Sequence, residues 1–132
     1  AIAFDAHRED VDRGGYPYVF HPFYLATQME DEASACAALL HDVVEDHAGR
    51  YSFDDLKRAG FPEEVLRALR LLTHARGVPY MDYIGALAVD PIARRVKLAD
   101  LRHNLDARRL GGARPGKYDQ YLQALAYLEA CK

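Results

Sequence analysis

The sequence has little of what is typical of secreted or membrane proteins. Its 132 residues include two cysteines. Cys36 and Cys131 stand far apart, which excludes a disulfide framework and a zinc knuckle and makes a reducing cytoplasm the expected compartment. No apolar stretch reaches the roughly 20 residues that span a bilayer, and no signal-like segment opens the chain. Because Ala1 is not a methionine, we expect that a few residues precede it.

An excess of positive charge is also missing. The formal net charge is -3, from 17 basic and 20 acidic residues. This balance argues against a protein that binds nucleic acid by counterion release, although the local arginines could still face an anionic small molecule. Length and composition predict one domain over residues 1–132, with a real apolar core. They leave the oligomeric state open.

The apolar pattern predicts helices along the whole chain. No run of four or more residues alternates cleanly between apolar and polar, and few residues are β-branched; both observations argue against strands. Caps and breakers such as Ser52, Gly60 and Pro91 set the expected boundaries. Helices are predicted near residues 2–7, 22–29, 30–46, 53–59, 62–74, 81–89, 91–110 and 118–128. We therefore predict a compact all-α bundle of about seven to eight helices.

The segment 37–46, AALLHDVVED, combines a helical apolar pattern with an imidazole and three carboxylates. On an unbroken helix these polar side chains fall within roughly 140° of one another: His41, Asp42, Glu45 and Asp46. Burying clustered carboxylates away from water costs much free energy unless a cation lies among them. The alternative is an ordinary solvated acidic face.

A second polar group lies on the predicted helix 91–110. Lys97, Asp100 and Asn104 are three and four residues apart, so they share one face. Asp100 follows an apolar run in which a carboxylate tends to be buried and needs a partner. We assign Lys97 to the support of nearby carboxylates. The alternative is a surface stripe with a weak Lys–Asp pair.

Three motifs, in this order, carry a family resemblance: PYVFHP at 17–22, LLHDVVED at 39–46 and VKLADLRHN at 96–104. With the upstream Ala6-His7 they resemble HD-domain metal-dependent phosphohydrolases, specifically the alarmone hydrolases of the RelA/SpoT type, over nearly the whole chain. The resemblance implies a single all-helical HD domain with one divalent ion, usually manganese. It also implies 3′-pyrophosphohydrolase activity on (p)ppGpp.

Carried over by position, the resemblance implies four metal ligands: His21, His41, Asp42 and Asp100. Two imidazoles and two carboxylates suit Mn²⁺, Fe²⁺ or Zn²⁺ by ligand type. The family resemblance favours Mn²⁺. The four protein ligands would leave coordination positions of the ion open for water and a phosphate oxygen.

The resemblance also implies catalytic and substrate-binding residues. Glu45 is the expected general base, and Asp46 is expected to orient the water or assist proton transfer. The alternative is that either carboxylate pairs with an arginine. Asn104 is expected to hydrogen-bond the substrate. Lys117 matches a phosphate-contacting lysine of the larger enzymes, with an exposed lysine at a helix start as an equal alternative.

The segment before PYVFHP departs from the pattern of the larger enzymes. Aligned on Pro17-Tyr18 without a gap, Asp12 replaces the arginine expected to stack on guanine. Arg13 keeps a cation that is expected to meet phosphate, and Tyr18 is counted among the substrate contacts. In the same alignment Glu9-Asp10 stand where the larger enzymes carry GQ.

The sequence therefore predicts a cytoplasmic enzyme with a small nucleotide substrate and neither a nucleic-acid nor a membrane partner. The leading function is guanosine-3′,5′-bis(diphosphate) 3′-pyrophosphohydrolase without synthetase activity. One alternative is an HD phosphatase for another phosphorylated metabolite, such as NADPH or a nucleotide. Another is a nucleotide-binding sensor without turnover. The remaining histidines are not assigned to the site. Structural roles are expected for His7, His74 and His103, and a surface position is expected for His47.

Overall fold

The fold was obtained as a computed structural model, which describes residues 1–10, 19–47, 51–106 and 117–131. Those residues contain nine helical segments and no strand. They are α1 (Ile2–His7), α2 (Phe20–Thr27), α3 (Glu32–Leu40), α4 (Val43–Asp46), α5 (Phe53–Arg58), α6 (Glu63–Leu72), α7 (Tyr80–Leu87), α8 (Pro91–Asn104) and α9 (Tyr118–Ala130). The predicted all-α class is confirmed.

The central helix predicted as continuous is divided in two, which corrects the sequence-based expectation. His41 and Asp42 form a turn between α3 and α4. The Nδ1 atom of His41 lies 2.7 Å from the carbonyl oxygen of Ala38. In an unbroken helix that oxygen accepts from the backbone N–H of Asp42, so the side chain competes for a helical acceptor. Counting α3 and α4 as the one predicted helix gives eight among the described residues.

Capping residues begin several helices where the sequence predicted boundaries. Ser52 and Asp55 form a reciprocal capping box at α5, and the Asp31 side chain accepts from the backbone N–H of Ser34 at α3. Asp90 caps α8 by accepting from two backbone N–H groups of its first turn. This helix ends at Asn104, earlier than the predicted end near residue 110. Residues 107–110 lie outside the described residues.

The apolar core is built around α3, which packs against α2, α6 and α8. The largest fully buried apolar side chains are mostly leucine: Leu25, Leu56, Leu66, Leu69, Ile84, Leu87, Leu101 and Leu128. Helices α2, α3 and α8 also pack against one another. This three-helix contact brings together residues from sequence motifs that are far apart along the chain.

None of the helices in the described parts of the chain combines the length and the apolar character that a membrane span requires.

Candidate metal centre

Four side chains from three segments converge where α2, α3 and α8 meet. His21 lies in the first turn of α2, His41 and Asp42 lie in the turn after α3, and Asp100 lies on α8. His21 Nε2 is 2.7 Å from Asp100 Oδ1, and His41 Nε2 is 3.5 Å from the same oxygen. His41 Nε2 is also 3.1 Å from Asp42 Oδ2. The structure thus brings together the four residues that the sequence predicted as ligands, and their role as ligands stays a prediction.

Three of these four side chains are buried. His21, His41 and Asp100 are 2%, 4% and 5% exposed. The side chain of Asp42 is 20% exposed and is the most accessible of the four. A cation at this point would be held by buried donors, with Asp42 nearest to solvent.

His41 supplies the observation that fits a cation. Its Nδ1 donates to the carbonyl oxygen of Ala38, which fixes the ring. Its buried Nε2 makes no well-aligned hydrogen bond with the described residues, although carboxylate oxygens of Asp42 and Asp100 lie 3.1 Å and 3.5 Å away. Two imidazole nitrogens and two carboxylate oxygens form a donor set suited to a divalent first-row metal.

The carboxylates around His41 determine the protonation state of its imidazole. Burial disfavours the imidazolium form, but the carboxylates of Asp42 and Asp100 outweigh burial and raise the pKa of His41 well above its ordinary value. In the metal-free protein a proton on His41 therefore balances the carboxylates. A metal held by His41 at this point would take the place of that proton.

Asp100 is held ionised by three donors. It accepts from His21 Nε2 at 2.7 Å, Lys97 Nζ at 3.0 Å and Asn104 Nδ2 at 3.1 Å. Burial opposes ionisation, but the Lys97 ammonium and the bond from His21 outweigh it and hold the pKa of Asp100 well below its usual range. Lys97 supports this carboxylate, as the sequence predicted. Asn104, predicted to contact substrate, lies beside the centre, where its side chain donates to Asp100.

His103 orients His21 from the side away from the carboxylates. The two Nδ1 atoms lie 2.6 Å apart, with the rings nearly parallel at 3°. The ring of Tyr24 meets the His103 ring edge-on at 4.4 Å between centroids. Sequence reasoning assigned His103 a structural role but missed this contact, because nothing in the spacing of residues 21 and 103 indicates it.

A second group of histidines and a carboxylate lies on α1 and after α4. His7 Nδ1 and His47 Nε2 lie 3.0 Å and 2.8 Å from Asp10 Oδ2. The predicted surface position of His47 is wrong in degree, since its side chain is only 19% exposed. The reason is its bond to Asp10, a contact between residues 37 positions apart.

The structure describes the other predicted site residues only in part. Lys117 is exposed at the N-cap of α9. Glu45 and Asp46 form the last two residues of α4, but their side chains lie outside the described part of the structure. Arg13 and Tyr18, like Asp12, fall in residues 11–18, which lie outside the described residues.

A cavity of about 860 Å³ lies beyond His103, between α2 and α8. Its lining includes His103, Tyr24, Arg95 and Arg102, but none of the four predicted ligands. It is therefore separate from the convergence of His21, His41, Asp42 and Asp100.

Comparison with known proteins identifies relatives that are named for (p)ppGpp hydrolysis, for GTP pyrophosphokinase activity or for both synthesis and hydrolysis. The chain is 31% identical to the bifunctional (p)ppGpp synthase/hydrolase SpoT of Escherichia coli, a match covering 88% of this chain and 18% of that protein. It is 35% identical to a guanosine-3′,5′-bis(diphosphate) 3′-pyrophosphohydrolase of Haemophilus influenzae, over 88% of this chain and 19% of that protein. A probable GTP pyrophosphokinase of Mycobacterium leprae is 32% identical, over 82% and 15%.

The chain spans less than a fifth of the length of these relatives, since the matches cover 15–19% of them. No protein-family model matches it. The similarity nevertheless extends over most of this chain, and the three motifs of the resemblance meet in one all-helical site. The chain belongs to the RelA/SpoT-type family of HD-domain proteins.

Proposed function

We propose that this protein is a metal-dependent phosphohydrolase acting on guanosine-3′,5′-bis(diphosphate). Water would attack the phosphorus bonded to the ribose 3′ oxygen and break that P–O bond, giving GDP and pyrophosphate. The observation that carries this proposal is the convergence of His21, His41, Asp42 and Asp100. The names of the relatives in Escherichia coli and Haemophilus influenzae support the substrate.

The same four residues are proposed to hold one divalent ion, with Mn²⁺ favoured over Fe²⁺ and Zn²⁺. Such an ion, when bound, lowers the pKa of a water molecule and offsets phosphate charge. The chain contributes a fixed set of donors. Asp100 stays ionised through Lys97, and His21 is oriented by His103. Outer partners of this kind tune metal affinity.

Glu45 is proposed as the general base and Asp46 as the group that orients water or assists proton transfer. Their support is position: α4 begins directly after Asp42, so both residues follow the proposed ligand within one helical turn. Glu45 would take the proton of the attacking water and hold it for the ribose 3′ oxygen of GDP, which is the leaving group.

The proposed substrate contacts are Asn104, Lys117, Arg13 and Tyr18. Asn104 is half-buried beside Asp100. Lys117 is an exposed cation, as a phosphate contact requires. Hydrolysis without synthesis is part of the proposal. So is the cytoplasmic compartment expected from the cysteines.

A substrate panel tests this proposal directly. The purified chain, supplied with Mn²⁺, Fe²⁺ or Zn²⁺, is incubated with guanosine tetra- and pentaphosphate, NADPH and nucleoside monophosphates, and products are identified by chromatography. We expect GDP and pyrophosphate from guanosine tetraphosphate. Asp42→Ala should abolish turnover, while Asp82→Ala, a matched exposed carboxylate on α7, should retain it.

Other outcomes would replace the proposal. Preferred turnover of NADPH or a nucleotide would favour another HD phosphatase, the alternative that Asp12 at the guanine-stacking position supports. Tight nucleotide binding without product would favour a sensor. No turnover of any compound, with Asp42→Ala indistinguishable from the parent protein, would exclude hydrolysis at this site.

A further inference from the structure

The cluster of His7, Asp10 and His47 stands apart from the four proposed ligands. His7 ends α1, Asp10 follows it, and His47 follows α4. One ligand atom from each residue lies within 4.8 Å of the others. His7 is fully buried, whereas the side chains of Asp10 and His47 are 37% and 19% exposed. The cluster is therefore anchored inside the protein and accessible from one side.

We propose that His7, Asp10 and His47 form a second binding site for a divalent transition-metal cation. Two imidazoles and one carboxylate occur in zinc and iron(II) sites that keep positions open for water or substrate. The site is independent of the substrate proposed above, because it rests on a different set of side chains.

The distances suit such an ion. Two ligand atoms at about 2.1 Å from a tetrahedral ion are roughly 3.4 Å apart. His7 Nδ1 and His47 Nε2 lie 3.0 Å and 2.8 Å from Asp10 Oδ2. Both nitrogens approach the same oxygen atom. An ion between the three would replace both hydrogen bonds and would move the ligand atoms apart by only a few tenths of an ångström.

The protonation states also suit a metal. Burial lowers the pKa of the His7 imidazole, which favours its neutral form. Hydrogen bonds from His7 and His47 lower the pKa of Asp10, which favours its carboxylate. Neutral imidazole and ionised carboxylate are the forms that coordinate metals. The ring nitrogens of His7 and His47 that donate to Asp10 would lose that proton, or move it to the other ring nitrogen, when a metal binds.

The cluster also lies near the first centre. The carboxylate of Asp42 is close enough to act on the charge of His7, and α1 packs against α3 and α4. A cation at the second site would therefore be attracted by Asp42. It would add positive charge beside a centre proposed to bind a highly phosphorylated substrate.

The competing interpretation is a hydrogen-bonded cluster that only ties α1 to the end of α4. Metal content separates the two. The full chain is freed of metal with a chelator, dialysed against Zn²⁺ and, separately, Co²⁺, and analysed for metal per folded chain. We expect two ions per chain in the parent protein. Co²⁺ should give visible absorption from two sites.

Two variants assign the ions to their sites. Asp10→Ala should lose one ion and the corresponding part of the Co²⁺ spectrum. Asp42→Ala should lose the other ion, which makes it the matched control for the first centre. His47→Gln, a milder change at a partly exposed position, should reproduce the loss if Asp10→Ala fails to fold. Circular dichroism monitors folding in each case.

One ion per chain in the parent protein, unchanged by Asp10→Ala or His47→Gln, would overturn the second site. So would two ions that both persist in these variants. Hydrolysis is not the readout, so an inactive protein that binds two ions would contradict the proposed function and leave the second site supported.

Discussion

The centre formed by His21, His41 and Asp100 is buried, and so is the leucine layer of α6, which includes Leu66 and Leu69. Different interactions stabilise the two regions. In the first, charges and hydrogen bonds compensate one another, so removing one group leaves a buried partner uncompensated. In the second, Leu66, Leu69 and their neighbours contribute apolar area, and removing one leaves a cavity. We therefore expect that paired charges of the centre can be removed together at little cost in stability, whereas the loss of a core leucine leaves a cavity that nothing fills.

The largest effect is expected from Asp100→Asn. If Asp100 is a ligand, hydrolysis should fall by more than about 100-fold, since even outer partners of metal ligands are worth 10–100-fold. The metal-free protein should also lose about 3 kcal/mol of unfolding free energy, because Lys97 loses its carboxylate. This value is at the low end for a buried pair because the Lys97 side chain keeps 14% exposure. Steady-state kinetics and urea unfolding measure the two effects.

The double variant Lys97→Met/Asp100→Asn is the control. Stability should recover to near that of the parent protein, because both charges are gone, while activity stays lost. If the double variant were as unstable as Asp100→Asn, the energetic role assigned to the Lys97–Asp100 pair would be wrong.

In the leucine layer, Leu69→Ala should lower the unfolding free energy by about 2–5 kcal/mol, because Leu69 is fully buried against neighbouring helices. Activity per folded molecule should be unchanged at low temperature. Leu69→Met, which conserves volume, should cost less than about 1.5 kcal/mol. A large fall in kcat for folded Leu69→Ala would show that the core and the site are not separable.

A change at the edge of the site should act on metal affinity. His103→Phe keeps an aromatic ring but removes the hydrogen bond to His21 Nδ1, so affinity should weaken by about 10–100-fold. His103→Gln, whose side-chain oxygen can accept from His21 Nδ1–H when Nε2 faces a metal, should restore part of it. Titration with a fluorescent chelator measures both. Equal weakening by both variants would mean that ring packing, not the hydrogen bond, orients His21.

The smallest effect concerns the capping carboxylate Asp31, which belongs to neither region. Hydrogen bonding from the backbone N–H of Ser34 lowers its pKa from the ordinary value of 3.8. A depressed folded-state pKa means that its stabilisation is complete above pH 3.8 and is lost as the pH falls through the folded value. Asp31→Asn keeps a good cap but cannot ionise. Its melting temperature should therefore fall less between pH 6 and pH 3 than that of the parent protein.

Much of the fold and part of the site could be predicted from local sequence. Ser52 and Asp31 act as caps through atoms three residues away, and such short-range chemistry is visible in a sequence. The break at His41–Asp42 could not be predicted, because it depends on a side chain taking a backbone acceptor. Contacts such as His103 with His21 depend on how α2 and α8 pack. The sequence alone carries no signal for that geometry.

Because His21, Lys97 and Asn104 all donate to one carboxylate, a change at any of these positions alters the charge balance felt by the other two. Tolerated substitutions among them should therefore occur in combinations. In a library randomised at these positions together with Asp100, survivors of functional selection should show strong epistasis, whereas single-site scans would make each position look invariant.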